Sequence, residues 1–232
     1  MMLPNLRVPS WAAPEEAMED LEFRFPEKHY TIIHNPIDTD LFRYERKSAD
    51  QRKKVLSIRP YASRGYANDL SVEAIQLLSE KPWFKDMEFR MIGDGPLFEE
   101  TLVPLRDFQN VYLEQRFLKQ SEIAELHRQY GIFLCPSRMD SQGVSRDEAM
   151  SSGLVPITNA VAAIREFVDE KCGILANAED AEGLASGIAM LHDKPEMFQA
   201  FSRAASERVG TQTSSRTIIV KELRTFTDTN LR

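Results

Sequence analysis

Only two cysteines, Cys135 and Cys172, occur in the 232 residues. Two cannot build a disulfide framework, so the pair suits a reducing compartment and the fold has to rest on its core. A chain of this length buries about 70% of the surface that its unfolded form exposes, which needs no staple. The four histidines are scattered without metal-ligand spacing, and no metal site is expected. No apolar run approaches the roughly 20 residues of a membrane span. The opening stretch, rich in proline and then acidic, has the wrong order for a signal peptide. Positive charge is also in short supply: 29 Lys and Arg face 36 Asp and Glu, for a net charge of -7. A nucleic-acid partner would call for clustered basic residues. The one short run, Arg52-Lys53-Lys54, flanks an apolar segment and reads as a solvated strand entrance. Internal repeats and low-complexity tracts are absent as well.

What is there is an alternation. Residues 1–28 are broken by Pro4, Pro9, Pro14 and Pro26, leave room for one short helix at 15–23, and read as a lead-in or linker. Short β-branched or aromatic runs follow at 30–34, 55–58, 89–92, 111–113, 132–135, 155–158 and 173–175. Such runs are typical of strands buried on both faces. Helical patterns lie between them. Leu70, Ala74, Ile75, Leu77 and Leu78 share a face within 68–78, and a capping-type Ser121 opens 121–130 with Ile123, Leu126 and Tyr130 in line. Asp180 opens 180–191, which carries Leu184, Ile188 and Leu191. Strand and helix in alternation predict an α/β domain, a parallel sheet with helices on both faces. Ligands of such sheets bind where strand C-terminal ends meet helix N-termini.

Three strand ends carry chemistry. After 55–58 come Arg59 and Arg64, whose planar guanidinium forks match phosphate oxygens, although solvent-exposed arginines would look the same. After 89–92 comes Gly93-Asp94-Gly95-Pro96, either a cradle for phosphate or sugar or a plain turn into a helix. After 132–135 comes the densest segment, with Asp140 before a helix that starts near Val144, and Glu148 one turn inside it. The backbone N–H groups of Gly143, Val144 and Ser145 would be free to meet an anion or a sugar hydroxyl. Each acid alone reads as a cap or a surface charge; as carboxylates beside two arginines they can accept hydrogen bonds from ribose or sugar hydroxyls.

Taken in order and spacing, these residues resemble the C-terminal, nucleotide-sugar-binding half of group 1 (family 4) retaining glycosyltransferases, which have the two-Rossmann, GT-B fold. The likeness runs from about Thr31 to Val209. It rests on Ile33-His-Asn-Pro-Ile-Asp-Thr-Asp-Leu-Phe42, on the Gly93 turn, and on Pro136-Ser137-Arg138 followed by Asp140, Glu148, Ala149-Met150 and Gly153. Asp140 stands where the family has Glu, and Arg64 where it has Lys. The resemblance implies a donor-binding domain over 29–210 and a C-terminal helix and tail over 211–232 that packs back across the hinge. It also implies an N-terminal acceptor domain for which the chain has no room.

The implied reaction moves a sugar from a nucleotide-diphosphate donor to an acceptor hydroxyl with retained configuration, in polysaccharide or glycoconjugate synthesis. Arg59 and Arg64 would neutralise the departing diphosphate. Glu148 would hold the ribose hydroxyls and Asp140 the donor sugar. Gly93, Gly95, Ser137, Gly143, Val144 and Ser145 would line the donor site. The family implies no cofactor and no bound metal, and Asp38-Thr-Asp40 reads as a turn. The expected partners are a nucleotide sugar and a glycan or lipid-linked glycan acceptor, in the cytoplasm or at the cytosolic face of a membrane. The 232 residues alone would be inactive. Two other readings stay open: a sugar-nucleotide epimerase of the same fold, and a non-catalytic nucleotide-sugar-binding module. A dinucleotide-binding dehydrogenase would want Gly-x-Gly-x-x-Gly after its first strand, where Arg59 to Arg64 stand instead.

Overall fold

The computed structural model describes residues 6–8 and 30–229. The short helix expected at 15–23 lies outside them. Six parallel strands form the sheet: β3 (Lys54–Ile58), β4 (Glu88–Gly93), β5 (Val111–Gln115), β6 (Ile132–Leu134), β7 (Val155–Asn159) and β8 (Ile174–Ala176). Each overlaps a run expected from the sequence, although β6 stops one residue short of 135 and β8 is shifted one residue from 173–175. The seventh run does not join them. Residues Tyr30–Ile32 (β2) pair in parallel with Leu6–Val8 (β1) in a separate two-stranded sheet. The six-stranded sheet is already closed to it on the β3 side, because β3 sits between β4 and β6.

Alternation along each strand sorts the core into two layers. Val55, Phe89, Met91, Ile132, Leu134 and Ile157 pack with Leu70, Ile75 and Leu78 of α1 (Asn68–Ser79) and with Leu184, Ile188 and Leu191 of a helix at Ala181–Asp193. Leu56, Ile92 and Phe133 face the other way, onto Leu126, Tyr130 and Ala149. These come from α3 (Gln120–Gln129), its C-cap, and α4 (Val144–Ser151). The helix α2 (Phe98–Leu102) follows the Gly93 turn. Further along, α5 (Ile164–Phe167) precedes β8, α6 is Ala181–Asp193, and α7 (Pro195–Gln212) and α8 (Ser215–Thr229) close the chain.

Caps separate two expectations. Asp180 caps α6 as the sequence predicts, its carboxylate accepting the Gly183 N–H at 2.7 Å. Ser121 does not cap α3. The N-cap is Lys119, and the Glu122 carboxylate accepts its N–H at 2.9 Å. An acid at the third helical position can reach back to the cap and neutralise the helix dipole, so the helix starts one residue before Ser121.

The strand order, β5-β4-β3-β6-β7-β8, fixes where a ligand fits. From β3 the chain steps outward to β4 and β5, then returns to the other side of β3 and continues through β7 and β8. The order reverses between β3 and β6, and the crevice outside that reversal is where open α/β sheets hold ligands.

Candidate functional site

The two strands at the reversal end in Arg59 and in Pro136-Ser137-Arg138. Arg59 continues the β3–β4 pairing, its N–H donating to the Ile92 carbonyl at 3.0 Å. Its side chain is buried. One guanidinium N–H donates to the Pro136 carbonyl at 3.3 Å, and the group lies 5.3 Å from the Tyr66 ring centre. Its Nε has no hydrogen-bond partner among the described residues. A buried guanidinium with a donor to spare is suited to an anion.

Arg64 sits on the turn that follows, in a short 3-10 helix at Arg64–Tyr66. Its side chain is 78% exposed and lies 3.5 Å from the Glu100 carboxylate of α2. It also borders a cavity of about 360 Å3 between α1 and α2, walled by Tyr61, Asn68, Glu73, Glu100 and Thr101. Among the expected site residues only Arg64 reaches that cavity.

The Gly93 turn is packed against the chain's own backbone. A Cβ on Gly93 would come within 1.8 Å of the Arg59 carbonyl oxygen, and one on Gly95, at φ 142°, within 2.4 Å of the Tyr61 backbone. The Tyr61 N–H donates to Asp94 O at 2.8 Å and Leu97 N–H to Tyr61 O at 3.0 Å. These glycines let the segment bearing Arg59 lie against the end of β4.

The third element is the loop into α4. Gly143 caps the helix in the left-handed region, at φ 78° and ψ 57°. A Cβ there would meet the Arg146 guanidinium at 2.7 Å and the Asp140 carboxylate at 3.2 Å. The first intrahelical bond runs from Asp147 N–H to Gly143 O at 3.0 Å, so the N–H groups of Val144 and Ser145 precede the ladder. Asp140 accepts the Gln142 N–H at 3.2 Å. Ser137 is buried, and its hydroxyl donates to Met139 O at 2.9 Å. Glu148 is half-buried one turn into α4, and burial, then the neighbouring Asp147, push its carboxyl up to about 7. The Cys135 thiol at the end of β6 is buried, which pushes it up to about 11.

Four residues to which the sequence assigns no role tie this region together. Gln142 pairs its amide with the Asn35 peptide, accepting its N–H at 2.7 Å and donating to its carbonyl at 2.9 Å. It also donates to Asp147 at 3.3 Å. Arg146 and Asp147 form a fully buried ion pair at 2.7 Å, and Arg146 donates to the Gln142 carbonyl. Arg138 bonds to Asp69 and Glu179. Their partners lie up to 107 residues away, a distance that local pattern cannot span. Asp38 accepts the N–H groups of Asp40 and Leu41 at 3.1 and 3.0 Å, which is a turn.

The chain is 25% identical over 206 residues to N-acetyl-alpha-D-glucosaminyl L-malate synthase of Bacillus anthracis, covering 84% of this chain and 52% of that protein. It thus spans about half the length of that curated relative. A TarM mutant of S. aureus, solved in complex with Fondaparinux, alpha-GlcNAc-glycerol and UDP, superposes with a TM-score of 0.75 at 20% identity, over 92% of this chain and 43% of that one. The C-terminal domain of a group 1 glycosyl transferase, LpcC of Francisella tularensis, gives 0.65 at 19% identity, over 77% of this chain and 99% of that domain. The fold is the Rossmann-like C-terminal half of a GT-B fold. A family profile described as Glycosyl transferases group 1 matches residues 53–194, more than half of the sequence, and the chain belongs to that family.

Proposed function

We propose that this chain is the donor-binding half of a retaining glycosyltransferase, which transfers a sugar from a nucleotide-diphosphate donor to an acceptor hydroxyl. The observation that carries this reading is the buried Arg59 guanidinium, bonded to the Pro136 carbonyl across the β3–β6 reversal and with its Nε left without a partner among the described residues. The hard step is departure of the diphosphate. Arg59 is already desolvated and held by Pro136 O, so it would stabilise the developing charge with little reorganisation. Arg64, free to swing from Glu100, would close on the same phosphates. The α4 N-terminus, with the N–H groups of Gly143, Val144 and Ser145, would add backbone donors. Glu148 would accept the ribose hydroxyls and Asp140 would orient the sugar. Gly93 and Gly95 would serve by holding the Arg59 segment in place, and Ser137 by shaping the floor.

No cofactor or metal enters this scheme. The acceptor, a glycan or lipid-linked glycan, would be held by a second Rossmann domain, so residues 1–232 alone would bind donor without turnover. The test is acceptor-dependent release of nucleotide by the full-length protein across a panel of nucleotide sugars. Release that needs acceptor supports transfer. Epimerised donor without acceptor would replace transfer with epimerisation, and binding without either product would leave a non-catalytic module.

A further inference from the structure

Arg138 leaves the end of β6 in the middle of the candidate site, yet its guanidinium is fully engaged. Nε donates to Glu179 Oε1 at 2.8 Å, and Nη2 to Glu179 Oε2 at 2.8 Å and to Asp69 Oδ2 at 2.8 Å. Nη1 donates to Asp69 Oδ1 at 2.9 Å and to the backbone carbonyl of Arg64 at 2.6 Å. A guanidinium has five N–H donors, and these bonds use all five. With two carboxylates on one cation, the cluster carries excess negative charge and is ill suited to take an anion itself.

Its partners show what it does. Asp69 is in the first turn of α1, and Glu179 lies between β8 and α6 in the left-handed region at φ 55°. The Arg138 N–H also donates to the Gly65 carbonyl at 3.0 Å. One residue therefore ties the end of β6 to the Arg64-Gly65 turn, to the start of α1 and to the loop before α6. The Asp69 carboxyl is held below the usual carboxylate range chiefly by its hydrogen bonds from Arg138. Isolated surface pairs contribute little, but a bidentate arginine within a network is the exception.

We propose that Arg138 is a positioning residue for donor binding: held between Asp69 and Glu179 and bonded to the carbonyls of Arg64 and Gly65, it holds the Arg64 side chain where a nucleoside diphosphate meets it. This inference rests on the donor-binding reading above. Arg138 touches no phosphate in this scheme and acts through Arg64.

The test is isothermal titration of the full 232-residue chain with UDP, GDP and ADP and with the matching nucleosides, on variants whose melting is checked first. Arg138→Gln is expected to weaken diphosphate binding about tenfold and to leave nucleoside binding unchanged, since charge-assisted contacts are the strong ones. In an Arg64→Ala background the same substitution should cost nothing further, because contacts acting through one residue are not additive. Arg138→Lys, which keeps the charge but not the fork, should fall between. If Arg138→Gln does not fold, Asp69→Asn and Glu179→Gln each loosen one side of the clamp and should show the same selective loss. Equal losses for nucleoside and diphosphate, or a full loss persisting without Arg64, would overturn the proposal and leave Arg138 a plain structural bridge. A wild-type chain that binds no diphosphate would instead remove the donor-binding reading, and this inference with it.

Discussion

In the donor-binding reading, Glu148 ties stability to ligand binding in one side chain. Its carboxyl moves from 4.5 to about 7 on folding, through burial and then Asp147. Between those values the folded chain holds the proton more tightly than the unfolded one, so this group's contribution to stability falls as pH rises through the window. Glu148→Gln removes the buried charge and should be more stable than wild type at pH above about 7, with no difference below about 4.5. Urea midpoints on both sides of the window read this directly. The same variant should bind nucleoside and nucleotide about 1.5–3 kcal/mol more weakly if the carboxylate accepts the ribose hydroxyls, as titration calorimetry would show. Gly93 answers to sterics instead. A Cβ 1.8 Å from the Arg59 carbonyl forces the two strand ends apart, and Gly93→Ala should cost about 2–3 kcal/mol in a denaturant titration. At this scale the sequence placed Asp140 ahead of the helix that starts at Val144 and Glu148 one turn inside it. It assigned no role to Arg138 or Gln142, because their roles exist only once Asp69, Glu179 and Asn35 are brought to them.

Among the elements, the six sheet strands were legible because each lies on a short β-branched or aromatic run, and β3, β4 and β6 pack into both core layers. The run at 30–34 has the same composition but pairs elsewhere, since composition does not specify a partner strand. Asp180 and Ser121 looked alike as caps. What separates them is the acid three places beyond the true cap of α3, Glu122, which fixes the N-cap at Lys119. Asp180→Ala should therefore cost about 1 kcal/mol by freeing the Gly183 N–H. Ser121→Ala should change little, and paired thermal melts would distinguish the two. The helix at Pro195–Gln212 escaped the sequence reading. Pro195 in its first turn was the available signal, but only four positions, Phe198, Ser202, Ala205 and Val209, are buried along its 18 residues.

For the whole molecule, topology decides the rest. No helix among the described residues is long and apolar enough to cross a membrane. The reversal between β3 and β6 sets Arg59 at the end of β3 beside Pro136 at the end of β6, 77 residues apart in the chain, and the crevice outside it is where we propose that the donor binds. That reversal could not be read from the alternation of strands and helices, which fits several strand orders, whereas the residues at each strand end could. The central claim is that this crevice holds the diphosphate of a nucleotide sugar. Isothermal titration of the chain with UDP, GDP and ADP, on wild type and Arg64→Ala, tests it most directly. The account predicts that at least one nucleotide binds, and that Arg64→Ala weakens the diphosphate while leaving the bare nucleoside nearly unaffected. Silence from all three at millimolar nucleotide, or equal losses for nucleoside and diphosphate, would contradict it.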